Sequence, residues 1–156
     1  MNVRVTNIYN NFALEKKGFK ADWGNSFLIE TPEEKILYDC GYKGDILLNN
    51  MKLVKCHPND IDLLIFSHGH NDHTYGLKKL LFERTTTNKL PIIAHPDALK
   101  KKRLRFPVNI ILGEKEIGFP TLLENLKAKT TFQLLREPTQ IRPFLSTVGE
   151  VKKRPE

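Results

Sequence analysis

Three histidines and one aspartate lie within six consecutive residues of this 156-residue chain, and no other feature restricts its fold as strongly. They are His68, His70, Asp72 and His73. Imidazole and carboxylate are preferred ligands of zinc and similar divalent ions. At this chain's histidine frequency, an H-x-H-x-D-H pattern arises by chance with odds of about a few in ten thousand. The pattern therefore predicts a metal site rather than a histidine-rich surface loop.

The spacing of the four residues suggests how they would share the metal. In extended backbone, side chains two residues apart project to the same side, so His68 and His70 are expected to hold one ion together. Asp72 and His73 lie further along the loop and are expected to hold a second ion nearby. Gly69 has no Cβ and is expected to allow a tight turn between the two histidines.

The surroundings of the cluster predict an α/β fold with a mixed sheet. Residues 61–66 form a short, mostly apolar run typical of a strand buried on both faces, and residues 75–82 carry leucines at helical spacing. Open α/β sheets place their ligands at such strand–loop–helix junctions. Further strands are predicted at 3–5, 26–30, 35–39, 91–94, 130–135 and 139–142, and further helices at 45–55, 96–102 and 121–128, the last from a capping-box pattern.

Composition and charge restrict the class of protein and its surroundings. With 40% hydrophobic and 28% charged residues, the chain is typical of a globular protein. We expect no secretion signal, since the first residues contain no apolar segment of that kind, and no apolar run is long enough to span a membrane. Cys40 and Cys56 are too few for a disulfide framework and are expected to be reduced, which favours a cytoplasmic protein. The net charge of +7 includes basic runs at 100–105 and 152–154. Without interleaved aromatics these runs favour a solvated surface over a nucleic-acid site.

The run Ser-His-Gly-His-Asn-Asp-His-Thr-Tyr-Gly-Leu at 67–77 resembles the signature of the metallo-β-lactamase superfamily. The segments Gly-Asn-Ser-Phe-Leu-Ile-Glu at 24–30 and Leu-Tyr-Asp-Cys-Gly at 37–41 resemble earlier elements of the same family. Ala-His-Pro-Asp-Ala at 94–98 and Thr-Val-Gly-Glu-Val at 147–151 resemble a branch that includes archaeal dihydropterin–ribofuranosylaminobenzene-phosphate synthases. The resemblance covers nearly the whole chain.

The resemblance implies an αββα fold in which two sheet-plus-helix halves hold metal ions at a shared edge. It makes His68 and His70 ligands of one ion and Asp72 and His73 ligands of a second, with Asp72 also orienting the nucleophilic water. Asp39 would steady the ligand loop, although a plain turn residue at the end of a strand is an equal alternative. The ions would be zinc, with manganese or iron as alternatives.

The chain departs from the family pattern in two respects. Tyr75 stands where the family usually has glycine. The family also completes its site with a later histidine and a bridging aspartate, yet only His95 follows His73 and no aspartate follows Asp97. We therefore expect residues 1–156 to form one domain, the N-terminal half of the family fold, apparently truncated at its C-terminus.

A half-domain of this kind would leave one face of its sheet without a partner. Strands at 26–30, 61–66 and 91–94 would then expose several hundred Å² of apolar surface, more than soluble monomers usually tolerate. We expect that face to be covered by a second copy of the chain or by a companion chain.

His95 follows a predicted buried strand and has two interpretations. It can line the pocket and contact a substrate phosphate, or it can make a local hydrogen bond at the start of a helix. The family resemblance keeps it as a candidate substrate-binding residue.

The leading functional hypothesis is a hydrolase in which two divalent ions activate a water molecule as hydroxide against a small, anionic or phosphorylated ester-type substrate. A second hypothesis is a catalytically silent or split metal-binding half-domain that needs a partner chain, which the missing ligands favour. A third is a pterin-related synthase or a nucleic-acid-processing relative. We expect the isolated chain to have little hydrolytic activity.

Overall fold

The structure is a computed structural model that describes residues 2–14, 17–105 and 114–150. The basic run at 152–154 lies outside them. The strands are β1 (Arg4–Tyr9), β2 (Ser26–Glu30), β3 (Lys35–Tyr38), β4 (Leu63–Ile65), β5 (Leu90–Ala94), β6 (Arg103–Arg105), β7 (Glu114–Glu116), β8 (Thr130–Leu134), β9 (Thr139–Arg142) and β10 (Leu145–Thr147). The helices are α1 (Gly44–Leu53), α2 (Asn71–Thr74), α3 (Gly76–Glu83) and α4 (Glu124–Lys127).

Six strands form one mixed sheet in the order β1-β2-β3-β4-β5-β8. β1, β2 and β3 pair antiparallel, whereas β3, β4, β5 and β8 pair parallel. Parallel neighbours need crossover connections, and α1 and α3 supply two of them. The predicted α/β class with a mixed sheet is confirmed.

Helices α1 and α3 cover one face of the sheet. Alternate residues of adjacent strands form one apolar row beneath them, because side chains along a strand alternate between faces. The row consists of Leu28, Leu37, Leu64 and Ile92, and it packs against Leu47, Met51, Leu77, Leu80 and Leu81 from the helices. All nine side chains are fully buried. This packing fixes the carboxyl end of β4, where the metal-ligand segment begins.

The opposite face of the sheet is smaller and partly covered. Ile36, Leu63, Ile65 and Ile93 are buried there, and the β9–β10 hairpin packs against them through Ile141, Phe144 and Leu145. The expectation of an uncovered apolar face is therefore wrong for the strands around β4 and β5, because this hairpin of the same chain folds onto them. The face remains open towards β1, where Val5 is 60% exposed.

Two predicted helices are shorter than expected. The segment predicted as a helix at 96–102 is a 3-10 turn at Pro96–Leu99 followed by β6, which pairs antiparallel with β7. The helix predicted at 121–128 is α4, and its N-cap is Leu123, which has no side-chain oxygen to cap it. The capping box expected at Thr121 is therefore wrong, because the helix starts two residues later. No helix in the described residues has the length and apolar character needed to cross a membrane.

Candidate metal centre

The histidine-rich segment leaves the sheet at the end of β4 and turns directly into helix α2. His68 lies in the connecting loop, His70 is the extended N-cap residue of α2, and Asp72 and His73 lie within α2. The helical turn brings Asp72 and His73 back towards the residue at the start of the loop. One ligand atom from each of His68, Asp72 and His73 lies within 4.8 Å of the other two. These three side chains could hold a metal ion together.

His70 also lies beside His68, although it is not part of the tightest group. Its ring centroid is 4.7 Å from that of His68, whereas the His68 and His73 ring centroids are 4.2 Å apart. The tightest group of ligand atoms therefore pairs His68 with the residues of α2. The reason is that the backbone is extended at His70 and becomes helical at the next residue, which turns Asp72 and His73 back towards His68.

Asp39 lies beneath the ligand loop and is almost completely buried. Its backbone has a φ of 60°, in the left-handed region that aspartate and asparagine tolerate better than most residues. Its amide donates to the Ile65 carbonyl at 2.9 Å, and its own carbonyl accepts from the Ser26 hydroxyl at 2.7 Å. These bonds fix the carboxylate against the end of β4.

The Asp39 carboxylate orients the rings of His68 and His73, the first through Ser67 and the second directly. Its Oδ1 accepts from the Ser67 amide at 2.9 Å, and its Oδ2 lies 2.6 Å from Ser67 Oγ and 2.7 Å from His73 Nδ1. Ser67 Oγ in turn lies 2.8 Å from His68 Nδ1. A buried carboxylate only accepts, so Ser67 Oγ donates to it, and the same hydroxyl oxygen can then accept from His68 Nδ1.

This chain of hydrogen bonds determines which ring nitrogens are available to a metal. Asp39 accepts a hydrogen bond from Nδ1–H of His73, and the Ser67 hydroxyl that donates to Asp39 accepts one from Nδ1–H of His68. In both neutral rings the remaining lone pair is then on Nε2. Partners that hold the second ring nitrogen in this way are typical of metal-binding histidines. The donor set therefore fits a divalent ion such as zinc.

The surroundings shift the pKa values of the two histidines in opposite directions. The hydrogen bond from His73 to Asp39 raises the pKa of that imidazole, although burial opposes the effect. Burial lowers the pKa of His68, and the neighbouring His73 and His70 lower it further. His68 is thus easily available as a neutral ligand, while His73 must lose its extra proton to bind a metal.

Two glycines allow close backbone contacts with the ligand segment. A Cβ on Gly69 would lie 1.8 Å from the Ala98 carbonyl oxygen, and a Cβ on Gly24 would lie 1.8 Å from the Asp72 carbonyl oxygen. Gly24 also has a φ of 114°, which other residues rarely adopt. Gly69 is therefore required because the 3-10 turn at Pro96–Leu99 approaches it closely, rather than by a turn of the ligand loop itself.

His95 makes the local hydrogen bond that one of its two interpretations expects, and it also lines a cavity. Its Nδ1 accepts from the Asp97 amide at 3.1 Å and so caps the 3-10 turn. Its Nε2 is buried and makes no hydrogen bond within the described residues; Glu150 Oε2 lies 3.7 Å away. His95 also shares a cavity of about 260 Å³ with Ser67 and His68. The free nitrogen is thus placed near the ligand loop.

Sequence reasoning did not single out Ser67 or the aromatic residues beside the loop. Ser67 links Asp39 to His68, and its hydroxyl between a buried strand and the first histidine is the signal that could have identified it. Tyr75, the departure from the family pattern, stacks on Tyr42 with ring centroids 5.5 Å apart. Trp23 lies in the same region, and its surrounding loop has no periodicity that would have revealed its position.

The structure is thus an α/β domain with side chains that could hold a metal ion at the carboxyl end of a strand of its mixed sheet. The family model of the metallo-beta-lactamase superfamily matches residues 22–138. The chain therefore belongs to the metallo-β-lactamase superfamily.

Individual relatives agree with this family. The chain is 30% identical, over 97% of its length and 51% of the relative's, to 7,8-dihydropterin-6-methyl-4-(beta-D-ribofuranosyl)-aminobenzene-5'-phosphate synthase from Methanocaldococcus jannaschii. It is 30% identical, over 84% of its length and 46% of the relative's, to ribonuclease Z from Clostridium novyi. The chain thus spans about half the length of these curated relatives.

Solved structures show the same fold. The metallo-beta-lactamase SMB-1, solved with mercaptoacetic acid, superposes with a TM-score of 0.53 at 17% identity, covering 92% of this chain and 51% of that one. The predicted fold class and the recognised family are both confirmed.

Proposed function

We propose that His68, His70, Asp72 and His73 bind two divalent ions, with zinc as the leading candidate. We further propose that the chain contributes this metal centre to a hydrolase. The observation that carries the proposal is the hydrogen-bonded series from Asp39 through Ser67 and His73, which leaves Nε2 of two adjacent histidines for a metal. When bound, the ions would supply a water molecule acidic enough to lose its proton near neutral pH.

The chain's own residues would divide the remaining tasks. Asp72 Oδ2 lies 3.6 Å from His73 Nε2, so this carboxylate is close enough to a metal on His73 to orient a water molecule as well as to bind. His95 would place its free Nε2 towards the substrate from the cavity that it shares with His68. Asp39 would act only through the side chains that it positions.

The substrate class that we propose is a small anionic or phosphorylated ester. The net charge of +7 favours anionic ligands in general. The names of the two curated relatives refer to a 5'-phosphate compound and to a ribonuclease, and both of these concern phosphate-containing molecules.

A split site is the second candidate function, and the number of ligands favours it. Catalytic zinc ions usually have three protein ligands, whereas four side chains shared by two ions supply two each. The only histidines outside the segment are His57 and His95. His57 accepts from the Asn59 amide at 3.1 Å in a separate turn, so it is engaged elsewhere. A companion chain, or a second copy, would then provide the missing ligands.

A hydrolysis assay on the 156-residue chain tests the hydrolase proposal. Phosphodiester, thioester and lactone substrates would be offered with zinc to the parent, to Asp72→Asn and to the matched control Asp45→Asn, an exposed aspartate of α1. We expect zinc-dependent turnover that Asp72→Asn abolishes and Asp45→Asn retains. The turnover should be slow, because displacing the nucleophile by about 1 Å can cost about a hundredfold in rate. Bound zinc without turnover above the Asp72→Asn variant would reject the hydrolase and leave the silent half-domain.

A further inference from the structure

A cavity of about 490 Å³ adjoins the ligand loop at His70 and Asp72 and is distinct from the cavity that His95 lines. Its lining includes Trp23, Tyr42, Lys43 and Lys115, together with His70 and Asp72 of the loop. Ligand sites in proteins commonly measure about 300–1,000 Å³ and combine aromatic surface with a few polar groups. The cavity therefore has the size and lining of a small-molecule site that adjoins the candidate metal centre.

The backbone at Trp23 is held in place, and the Trp23 side chain is 74% exposed. Its amide donates to Asp22 Oδ1 at 2.7 Å, and the next amide, of Gly24, donates to Asn11 Oδ1 at 3.1 Å. Gly24 itself packs against the carbonyl of Asp72, so the backbone under the indole is tied to the ligand loop. A large aromatic side chain that is exposed on an ordered backbone offers its surface to a ligand.

The second aromatic side chain of the cavity is fixed by a stacking partner. The ring of Tyr42 lies nearly parallel to that of Tyr75, with an angle of 13° between the planes and 5.5 Å between the centroids. Offset stacking of this kind restricts the orientation of both rings. Tyr75, where the family usually has glycine, thus supports one wall of the cavity.

The two lysines of the cavity differ in their availability. Lys43 Nζ lies 2.5 Å from Asp22 Oδ2, so its charge is already paired. Lys115 is exposed and has no acidic partner among the described residues. Lys115 is therefore the cation that an anionic group in the cavity would meet.

We propose that this cavity is a subsite for a planar aromatic ring that carries an anionic group. The ring packs against Trp23 and Tyr42, and the anionic group lies near Lys115. The rest of the molecule faces His70 and Asp72, an orientation that rests on the proposed hydrolase function. The subsite would select aromatic anions over aliphatic ones of equal charge.

The single tryptophan of the chain, Trp23, provides a direct readout. Metal-free protein in EDTA would be titrated with phenyl phosphate, with ribose 5-phosphate, which has the same anionic group without the aromatic ring, and with benzyl alcohol, which has the ring without the charge. We expect saturable quenching by phenyl phosphate with a Kd at least about tenfold below that of either control, since aromatic stacking typically contributes that much or more. Equal Kd values for phenyl phosphate and ribose 5-phosphate would overturn the proposal.

Variants assign the binding to the cavity. Tyr42→Leu should weaken phenyl phosphate about fivefold or more, and Lys115→Gln should do the same without changing benzyl alcohol binding. The matched controls are Phe82→Leu, an exposed aromatic on α3, and Lys89→Gln, an exposed lysine before β5. A Tyr42→Leu variant with parental thermal stability and parental affinity would reject the site.

Failure of the subsite and failure of the hydrolase proposal give different results. The titration uses no metal, so selective phenyl phosphate binding by a chain that binds no zinc would retain the subsite and reject the hydrolase. Zinc binding without selectivity among the three ligands would reject the subsite alone.

Discussion

His73 Nδ1 lies 2.7 Å from Oδ2 of the buried Asp39, which places the opposite ring nitrogen of His73 towards His68 and Asp72. The carboxylate accepts three hydrogen bonds on two oxygens, and an amide would leave only one oxygen to accept them. Asparagine still tolerates the positive φ of this position, so Asp39→Asn tests the carboxylate rather than the backbone.

We expect Asp39→Asn to weaken zinc binding about 10- to 100-fold, the usual effect of removing a partner that orients a metal ligand. Competition with a chromophoric chelator measures the affinity, and Asp45→Asn, an exposed aspartate of α1, is the control. Parental zinc affinity in Asp39→Asn would mean that Asp39 is only a turn residue.

Ser67 should act as a link between Asp39 and His68 rather than as a ligand. Ser67→Ala removes the hydroxyl that accepts from His68 Nδ1, whereas Ser67→Thr retains it. We expect about a tenfold loss of zinc affinity in Ser67→Ala and near-parental affinity in Ser67→Thr. Nitrogen NMR of His68 should show a protonated Nδ1 in the parent and a tautomer mixture in Ser67→Ala. A parental spectrum in Ser67→Ala would contradict the proposed link.

The raised pKa of His73 predicts a pH-dependent effect of zinc on stability. In the metal-free chain, the His73–Asp39 interaction stabilises the fold fully below the ordinary histidine pKa of 6.5 and is lost as pH rises through the raised value. Zinc must displace the extra proton of His73. The stabilisation that zinc binding adds to the fold therefore increases as the pH rises. We expect zinc to raise the Tm more at pH 8 than at pH 6. Equal increases at both pH values would show that His73 is not a ligand.

The β9–β10 hairpin should open from the sheet more often when its ion pair is removed. Arg142 Nε lies 2.7 and 2.9 Å from the two carboxylate oxygens of Glu34 in the β2–β3 turn. Arg142 is 38% exposed, so we expect Arg142→Gln to lower the free energy of unfolding by only about 1 kcal/mol.

Dye binding measures the exposure of the face that this hairpin covers. We expect Arg142→Gln to increase binding of a hydrophobic dye, because Ile36, Leu63, Ile65 and Ile93 would become accessible. Arg4→Gln, which breaks the exposed pair with Glu30, is the control and should leave dye binding unchanged. Unchanged dye binding in both variants would show that the hairpin remains attached through its apolar contacts alone.

The sequence predicted the strands and helices whose pattern reflects burial. Residues 61–66 and 75–82 were recognisable because a run of apolar residues and a 3.6-residue period each follow from packing against the core. Helix α2 was not recognisable from the sequence, since Asn71–Thr74 is about one turn long and cannot show a repeating pattern of apolar residues. For this reason the approach of Asp72 and His73 to His68 needed coordinates.

Long-range contacts account for the remaining differences. The role of Asp39 depends on Ser67 and His73, which lie 28 and 34 residues away in the chain. The aromatic cavity draws Trp23, Tyr42 and Lys115 from separate segments, and nothing local in their sequence brings them together. The same applies to the β9–β10 hairpin, whose covering of the sheet overturned the expectation of an uncovered face.

Elemental analysis of purified protein tests the central claim most directly, that the segment from His68 to His73 binds metal. Zinc would be measured after equilibration and gel filtration for the parent, for His68→Ala/His73→Ala, and for His57→Ala as the histidine control outside the segment. We predict about one to two equivalents in the parent and in His57→Ala, and less than a tenth of an equivalent in the double variant. Equal zinc in all three proteins would contradict the account.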